Sequence, residues 1–352
     1  MKKLWVDTRW RSKTRRKENR RRRRAARKAK HPRSTDPKPP EMPRTPPMDP
    51  KAIRSNRRPV RPWRLVSVRA PAQMSLTCSP QETLRFFHDL DTKAIRFDRV
   101  FVDLESVEEL TPDAILYTLS RVKHHAMRGV VFSGNAPADA TCRELWVQSG
   151  FYNYVNAGIK TPANPDILSI KSGVQVDSDV AGLVIEFAAH HLGLNPEGDL
   201  EPAYVAIVEC MTNTLHHASG NPKRPCEWHV IARRYPATGE VQFAILDSGQ
   251  GIPETVRNTV LETWVTRPLR LQEDFELIRS ALTSQGRRSR MGQRHRGRGL
   301  PKICSFAQAG KIRDLRVLSR RGFVDIGAGV FYDLPNNLRF QGTLLAWSFV
   351  TA

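Results

Sequence analysis

Three polar residues spaced four apart, Glu209, Asn213 and His217, are the strongest candidates in this sequence for a chemical site. In a helix, residues at i, i+4 and i+8 lie along one edge. A carboxylate, a carboxamide and an imidazole would therefore stand in line on a rigid element. Taken alone, the pattern favours a solvated Glu/Asn edge and a histidine with a structural role.

The helix that would position these residues begins near Pro202. Apolar residues recur through it at helical spacing, which predicts one broad face packed on a core. Its predicted members are Tyr204, Val205, Ile207, Val208, Met211 and Leu215. A second helix is predicted before it, over 178–192.

A second motif follows the strand predicted over 241–246. The chain continues as Asp247-Ser-Gly249-Gln-Gly251-Ile252. An acid at a strand end followed by two glycines suits a site where the backbone must approach a flat ligand. By itself the motif is more typical of a plain turn.

A third motif, Gly297-Arg-Gly299-Leu300, precedes a helix predicted over 300–309. Glycine amides before a helix N-terminus form a natural phosphate cradle. The alternatives are an exposed basic loop and an RNA contact, and no clear element is predicted over 253–296. Antiparallel strands are predicted at 315–318, 330–332 and 343–350, and Gly342-Thr343 opens the last of them.

In this order and spacing, the motifs resemble the GHKL ATPase family. That family includes gyrase, heat-shock chaperones, histidine kinases and the anti-sigma-factor serine kinases. The resemblance covers residues 173–352 and implies a Bergerat-type α/β sandwich that binds ATP and magnesium.

The resemblance also implies a role for each matching residue. Glu209 would be the general base, and Asn213 would hold magnesium through its side-chain oxygen. Asp247 would accept a hydrogen bond from the adenine amino group, with Thr343 bonding near it. The other implied nucleotide-binding residues are His217 near the phosphates, Gly249, Gly251 and Ile252 beside the base, and Gly297, Gly299 and Leu300 in the lid.

Upstream, the pattern predicts strand, helix, strand and helix with short connections, which indicates an α/β layer. Strands are predicted at 64–68, 100–104 and 130–132. One helix begins at Thr111-Pro112 and is closed by Gly129, and another spans 138–149. His124 and His125, on the first of these helices, are predicted to lie at the surface.

This part, residues 63–156, resembles the STAS (anti-sigma-factor antagonist) domain through the stretch from Phe101 to Ile115 and through 129–133. In that family the turn before the helix carries a serine that can be phosphorylated. The corresponding position holds Asp113, which indicates a permanently charged or structural turn. A generic βαβ scaffold without a switch is the alternative.

The formal charge of +22 lies almost wholly in the N-terminal part. Residues 1–69 hold 26 Lys/Arg and 5 Asp/Glu, whereas the rest of the chain is close to neutral. Residues 1–62 are predicted to be a disordered Arg/Pro-rich tail. Such a tail could contact nucleic acid through phosphates or simply be solvated. A linker is predicted over 157–172.

The chain contains no apolar run long enough to span a membrane, so no membrane partner is predicted. Its five scattered cysteines predict free thiols and a cytoplasmic location. Three functions remain open: an ATPase or ATP-dependent switch acting on a protein partner, an anti-sigma-type serine/threonine protein kinase, and a nucleic-acid-binding scaffold that uses ATP only structurally. The presence of Glu209 favours an enzyme.

Overall fold

The computed structural model describes residues 65–155, 161–217, 226–262, 272–283 and 299–349. The tail predicted over 1–62 lies outside these residues. Residues 61–352 form one compact unit. The predicted mixture of helices and strands is confirmed, and no described helix has both the length and the apolar content needed to cross a membrane.

The first part of this unit contains short strands alternating with helices. Its elements are β1 (Leu65–Arg69), β2 (Gln73–Met74), α1 (Pro80–Arg96), β3 (Arg99–Asp103), β4 (Glu109–Leu110), α2 (Pro112–Ala126), β5 (Val131–Gly134), α3 (Ala140–Gln148) and α4 (Tyr152–Val155). β1, β3 and β5 form a parallel sheet in that order, and β2 pairs with β4. The predicted α/β layer is therefore confirmed.

Local sequence accounts for the start and end of α2. Thr111 precedes the helix in extended conformation and Pro112 occupies its first turn, as predicted. The Thr111 hydroxyl, however, donates to the Met74 carbonyl at 3.2 Å and makes no cap bond. Gly129 follows the helix with φ +88°, a conformation that glycine adopts without strain.

The second part is built on a larger sheet. Its elements are β6 (Ile167–Gly173), α5 (Ser178–Leu192), α6 (Glu201–His217), β7 (Trp228–Tyr235), β8 (Glu240–Asp247), α7 (Ile252–Glu262), α8 (Asp274–Thr283), α9 (Gly299–Gln308), β9 (Arg313–Arg320), β10 (Gly322–Asp325), β11 (Val330–Asp333) and β12 (Phe340–Phe349). Seven antiparallel strands pair in the order β11-β10-β9-β12-β8-β7-β6. The predicted antiparallel strands are thus confirmed.

The two faces of the seven-stranded sheet pack against different layers. In β8, Phe243 and Ile245 belong to the core shared with α5, α6 and α9, whereas Ala244 and Leu246 belong to the core shared with the first part. This division follows from the two-residue alternation of side chains along a strand. Tyr117 of α2 stacks on Phe340 of β12, with ring centroids 4.3 Å apart.

Part of the segment predicted as a linker is strand. Ile167–Gly173 pairs with β7 as the edge strand of the sheet. A Cβ added at Gly173 would lie 2.4 Å from the Trp228 ring, so the absence of a side chain lets the indole cover this strand. The Trp228 Nε1–H donates to the Gln175 carbonyl at 2.8 Å.

The buried face of α6 is rotated from the predicted one. Its most buried side chains include Ala203, Ala206 and Cys210, beside Ile207 and Met211. Small residues face the sheet because they allow the helix to lie close to it. Among the larger predicted members, Tyr204, Val205 and Val208 are only partly buried.

Two helices occupy part of the stretch for which no element is predicted. α7 starts directly after Gly251, and α8 packs its Leu277, Ile278 and Leu282 into the core. Asp274 stabilises the start of α8, because its carboxylate accepts from the Arg257 guanidinium at 2.7 Å and from the Arg321 amide at 3.0 Å. Because these stabilising contacts are tertiary, the local sequence does not predict them.

Candidate functional site

Asp247 and Thr343 lie opposite one another at the end of the sheet. Asp247 is the last residue of β8 and is paired in register with Thr343 of β12 on one side and with Trp228 of β7 on the other. Its Oδ1 accepts a hydrogen bond from the Gly249 amide at 2.8 Å. The Asp247-x-Gly249 motif therefore closes on itself and holds the carboxylate in one orientation.

The environment of Asp247 makes its carboxyl a weaker acid than that of a free aspartate side chain. Burial raises the pKa of its carboxyl from 3.8 to about 6, and hydrogen bonds from Gly249 and Thr343 oppose that rise. The residue is only partly enclosed by the protein. A partly accessible acceptor with a perturbed pKa at a strand end is typical of a ligand contact.

Glycines 251 and 342 are required where the turn after β8 meets the start of β12. A Cβ added at Gly342, whose φ is +104°, would lie 1.9 Å from the Asp247 carbonyl oxygen. One added at Gly251, whose φ is +88°, would lie 2.7 Å from the Ser319 Oγ. A side chain at Gly342 would force apart the strands that carry Asp247 and Thr343, and one at Gly251 would displace the Ser319 hydroxyl.

Ser319 of β9 links the same two segments and was not predicted as a site residue. Its hydroxyl donates to the Gly342 carbonyl at 2.9 Å and accepts from the Ile252 amide at 3.0 Å. It also lies 3.3 Å from the Thr343 hydroxyl. A lone serine in an apolar strand carries no sequence signal, because its partners lie far away along the chain.

The helix α6 passes beside the end of β8. Cys210 is buried, and burial raises the pKa of its thiol, with the charges of Asp247 and Glu209 raising it further. The Cys226 thiol has its pKa raised to about 11 by burial, and the Asp247 charge adds to the rise. Both cysteines are therefore poor nucleophiles. Because Asp247 and Glu209 both act on the Cys210 thiol, the two carboxyl groups lie near each other.

Glu209 is half-buried on α6. Burial raises the pKa of its carboxyl, and the positive charge of Lys302 on α9 opposes that rise. α9 begins at Gly299, and Leu300 packs onto the core shared by α6 and the sheet. Glu209, the start of α9 and the side chain of Asp247 therefore lie on the same side of the sheet.

The described residues cover the other candidates unequally. Asn213 and His217 lie on α6, but their side chains are outside what the structure describes, and Gly297 is outside it altogether. No group of three or more His, Cys, Asp or Glu residues suited to a metal occurs within the described ranges. A carboxamide on α6 remains the predicted magnesium ligand.

Asp113 is buried at the start of α2. It is 1% exposed, and its Oδ2 accepts from the amides of Leu76 at 2.7 Å and Thr77 at 3.1 Å. Burial raises the pKa of the carboxyl, and these hydrogen bonds oppose the rise. The contacts are those of a structural residue, the second of the two roles predicted for this turn.

The prediction that His124 and His125 lie at the surface is wrong for His125. That residue is 1% exposed, and its Nε2 lies 2.8 Å from the Asp91 Oδ1. Arg121 donates to the same oxygen through Nε at 3.0 Å. His125 lies one turn beyond Arg121 on α2, so α1 covers both residues and buries them.

Comparison with known proteins adds no family assignment. No protein-family model matches the chain, and a search of the curated proteins finds no match.

Proposed function

We propose that the chain is an ATP-binding regulatory protein of the GHKL class, acting as an ATPase or ATP-dependent switch. In this proposal residues 173–352 form a Bergerat-type α/β sandwich that takes magnesium-ATP. Residues 63–156 form a STAS-like domain in front of it. The single observation that carries the proposal is the placement of Asp247 and Thr343 side by side at the end of the sheet. Asp247 and Glu209 are both close enough to Cys210 for their charges to affect its thiol.

The donors and acceptors at this site suit an adenine base. The Asp247 carboxylate would accept from the exocyclic amino group, and Thr343 would bond beside it. Gly249 and Gly251 leave the backbone bare, so a flat base could pack close to it. Ile252, partly buried in the same core, would add an apolar contact.

The phosphates and magnesium would lie along α6 and the start of α9. Asn213 would ligate magnesium, His217 would lie near the phosphates, and Gly297, Gly299 and Leu300 would form the lid. Bound magnesium-ATP supplies an electrophilic γ-phosphate whose negative charge the cation neutralises. Glu209 would orient a water or hydroxyl; its raised pKa suits a group that must accept a proton.

A serine/threonine protein kinase of the anti-sigma type is the second candidate. The pairing of a STAS-like part with the sheet in one unit favours it, since Tyr117 stacks on Phe340 and its hydroxyl accepts from the Gln341 amide at 3.0 Å. Asp113 in place of the serine, buried and bonded, would leave the protein's own STAS-like part without an acceptor there. The phosphate would then pass to another protein.

One experiment separates these functions. The purified full-length chain is incubated with ATP labelled at the γ-phosphate, with and without a cell lysate. Label in free phosphate supports the ATPase, and label on a protein supports the kinase. Nucleotide binding without release or transfer of label supports a scaffold that uses ATP structurally, and absence of ATP binding in calorimetry refutes all three.

A further inference from the structure

An open cleft of about 530 Å³ lies at the end of the seven-stranded sheet, next to the turn that follows Asp247. Its wall includes Ser248 and Gln250 from that turn, Glu254 from α7, Arg320 from the end of β9, and Arg339 and Gln341 around the start of β12. Of the residues assigned to the proposed nucleotide site, Gly249 also lines the cleft, whereas Asp247, Thr343 and Glu209 do not. The cleft therefore adjoins the proposed nucleotide site at Gly249, but its charged side chains are not part of that site.

The charged side chains of the cleft are two arginines and one glutamate. Arg320 pairs with Glu254 at 2.7 Å. Arg339 is exposed and makes no hydrogen bond or ion pair with another residue in the described part of the chain. Burial lowers the pKa of Arg320, and the positive charge of Arg339 lowers it further, so the two guanidinium groups repel each other across the cleft.

Arg320 is held in place by the backbone around it. Its φ is +55°, in the left-handed region that residues with a side chain rarely adopt. A Cβ added at Gly251 would lie 3.1 Å from the Arg320 Cγ, so the glycine makes room for the arginine stem. The guanidinium is consequently presented beside the turn and does not trail into solvent.

The two guanidinium groups carry more N–H donors than their contacts in the described residues use. Each guanidinium has five N–H donors, and one contact to Glu254 leaves most of those on Arg320 free to bind another acceptor. An oxyanion between Arg320 and Arg339 would relieve their repulsion and accept charge-assisted hydrogen bonds from both. A phosphate monoester, with up to two negative charges, matches two arginines better than a carboxylate does.

We propose that this cleft binds a phosphate monoester through Arg320 and Arg339. The phosphate can belong to a small metabolite or to a phosphorylated side chain of another protein, because both present the same group. The volume of the cleft accommodates either. This site does not depend on ATP binding at Asp247.

The test is calorimetric titration of the full-length protein with O-phosphoserine, in the absence of ATP. The variants are Arg339→Gln, Arg339→Lys and Arg320→Gln. The matched control is Arg313→Gln. Arg313 lies at the opposite end of β9 from Arg320, and its side chain is exposed like that of Arg339. Every protein keeps the basic N-terminal residues, so only differences between variants report on the cleft.

We expect Arg339→Gln to weaken binding about tenfold, Arg339→Lys to weaken it less, and Arg313→Gln to leave it unchanged. Arg320→Gln should weaken phosphoserine binding as well. If Arg320→Gln does not fold, the result for Arg339→Gln decides the test. Equal affinity in Arg339→Gln and Arg313→Gln overturns the proposal, as does equally tight binding of unphosphorylated serine.

Further titrations distinguish the source of the phosphate and separate the cleft from the ATP site. A phosphoserine peptide that binds more tightly than phosphoserine and inorganic phosphate supports a protein ligand, whereas similar affinities support a small metabolite. Asp247→Asn should keep phosphoserine affinity while ATP affinity falls. A result in which only ATP binding is lost would refute the nucleotide site and leave the proposed phosphate site standing. Loss of phosphoserine binding in Arg339→Gln would support the phosphate site whether or not the protein binds ATP.

Discussion

If ATP binds as proposed, the acidity of Asp247 should make the affinity for ATP depend on pH. With a pKa of about 6, the carboxyl is mostly ionised at pH 7.5 and about 90% protonated at pH 5. A protonated acid is a weaker hydrogen-bond acceptor for the adenine amino group than the ionised carboxylate is. ATP affinity should therefore fall about tenfold between pH 7.5 and pH 5, with a midpoint near 6.

The same group affects folding stability in the opposite direction. Because the folded pKa lies above the unfolded value of 3.8, the stabilising contribution of this group is fully present below 3.8 and is lost as the pH rises through about 6. The shift of roughly 2 units corresponds to at most about 3 kcal/mol, less any screening from the solvent that reaches Asp247. Lowering the pH should thus strengthen this part of the fold while it weakens ATP binding.

The assay is calorimetry with magnesium-ATP from pH 5 to pH 8 on the wild type and on Asp247→Asn. The variant should bind ATP at least about tenfold more weakly at pH 7.5, as expected for loss of a charged acceptor. It should also lose the wild-type step near pH 6, while the titration of ATP itself remains in both proteins. Superimposable pH profiles for the two proteins would refute the assigned role of Asp247.

Three other predictions test separate parts of the chain. Glu209→Ala should bind ATP normally and lose turnover, because it removes the proposed base and not the pocket; equal phosphate release by both proteins would contradict this. Asp113→Ala should lower stability by about 1–3 kcal/mol for each of the two amides left without an acceptor, and Asp113→Asn by less; urea unfolding measures both, and identical midpoints would remove the structural role. A chain beginning at Arg61 should lose salt-sensitive retention on immobilised nucleic acid, since most of the positive charge lies before it; unchanged retention would exclude the tail.

Local sequence determined many elements and their order. Asp177 accepts from the amides of Asp179 and Val180 at 3.0 and 3.1 Å, so the helix predicted over 178–192 begins where its cap lies. Pro112, in the first turn, likewise predicted the start of α2, although Thr111 before it makes no cap bond. Such signals work because capping groups and turn residues act within a few positions of the backbone they satisfy.

Elements held by distant partners were not predicted. The start of α8 bonds to Arg257 and Arg321, and the strand β6 is held by its pairing with β7. The buried face of α6 also differs from the predicted one, since periodicity places apolar residues on a face but does not say how closely the sheet approaches.

For the candidate site, the sequence by itself determined the residue types, their order and the bare backbone at the glycines. Tertiary structure decided which of them meet. Asp247 lies opposite Thr343 only because β8 and β12 pair in one register, and a slip by one residue would turn Thr343 to the other face. Ser319, and Arg320 beside Arg339, come together through contacts between strands, and long-range pairing of this kind leaves no local pattern in the sequence.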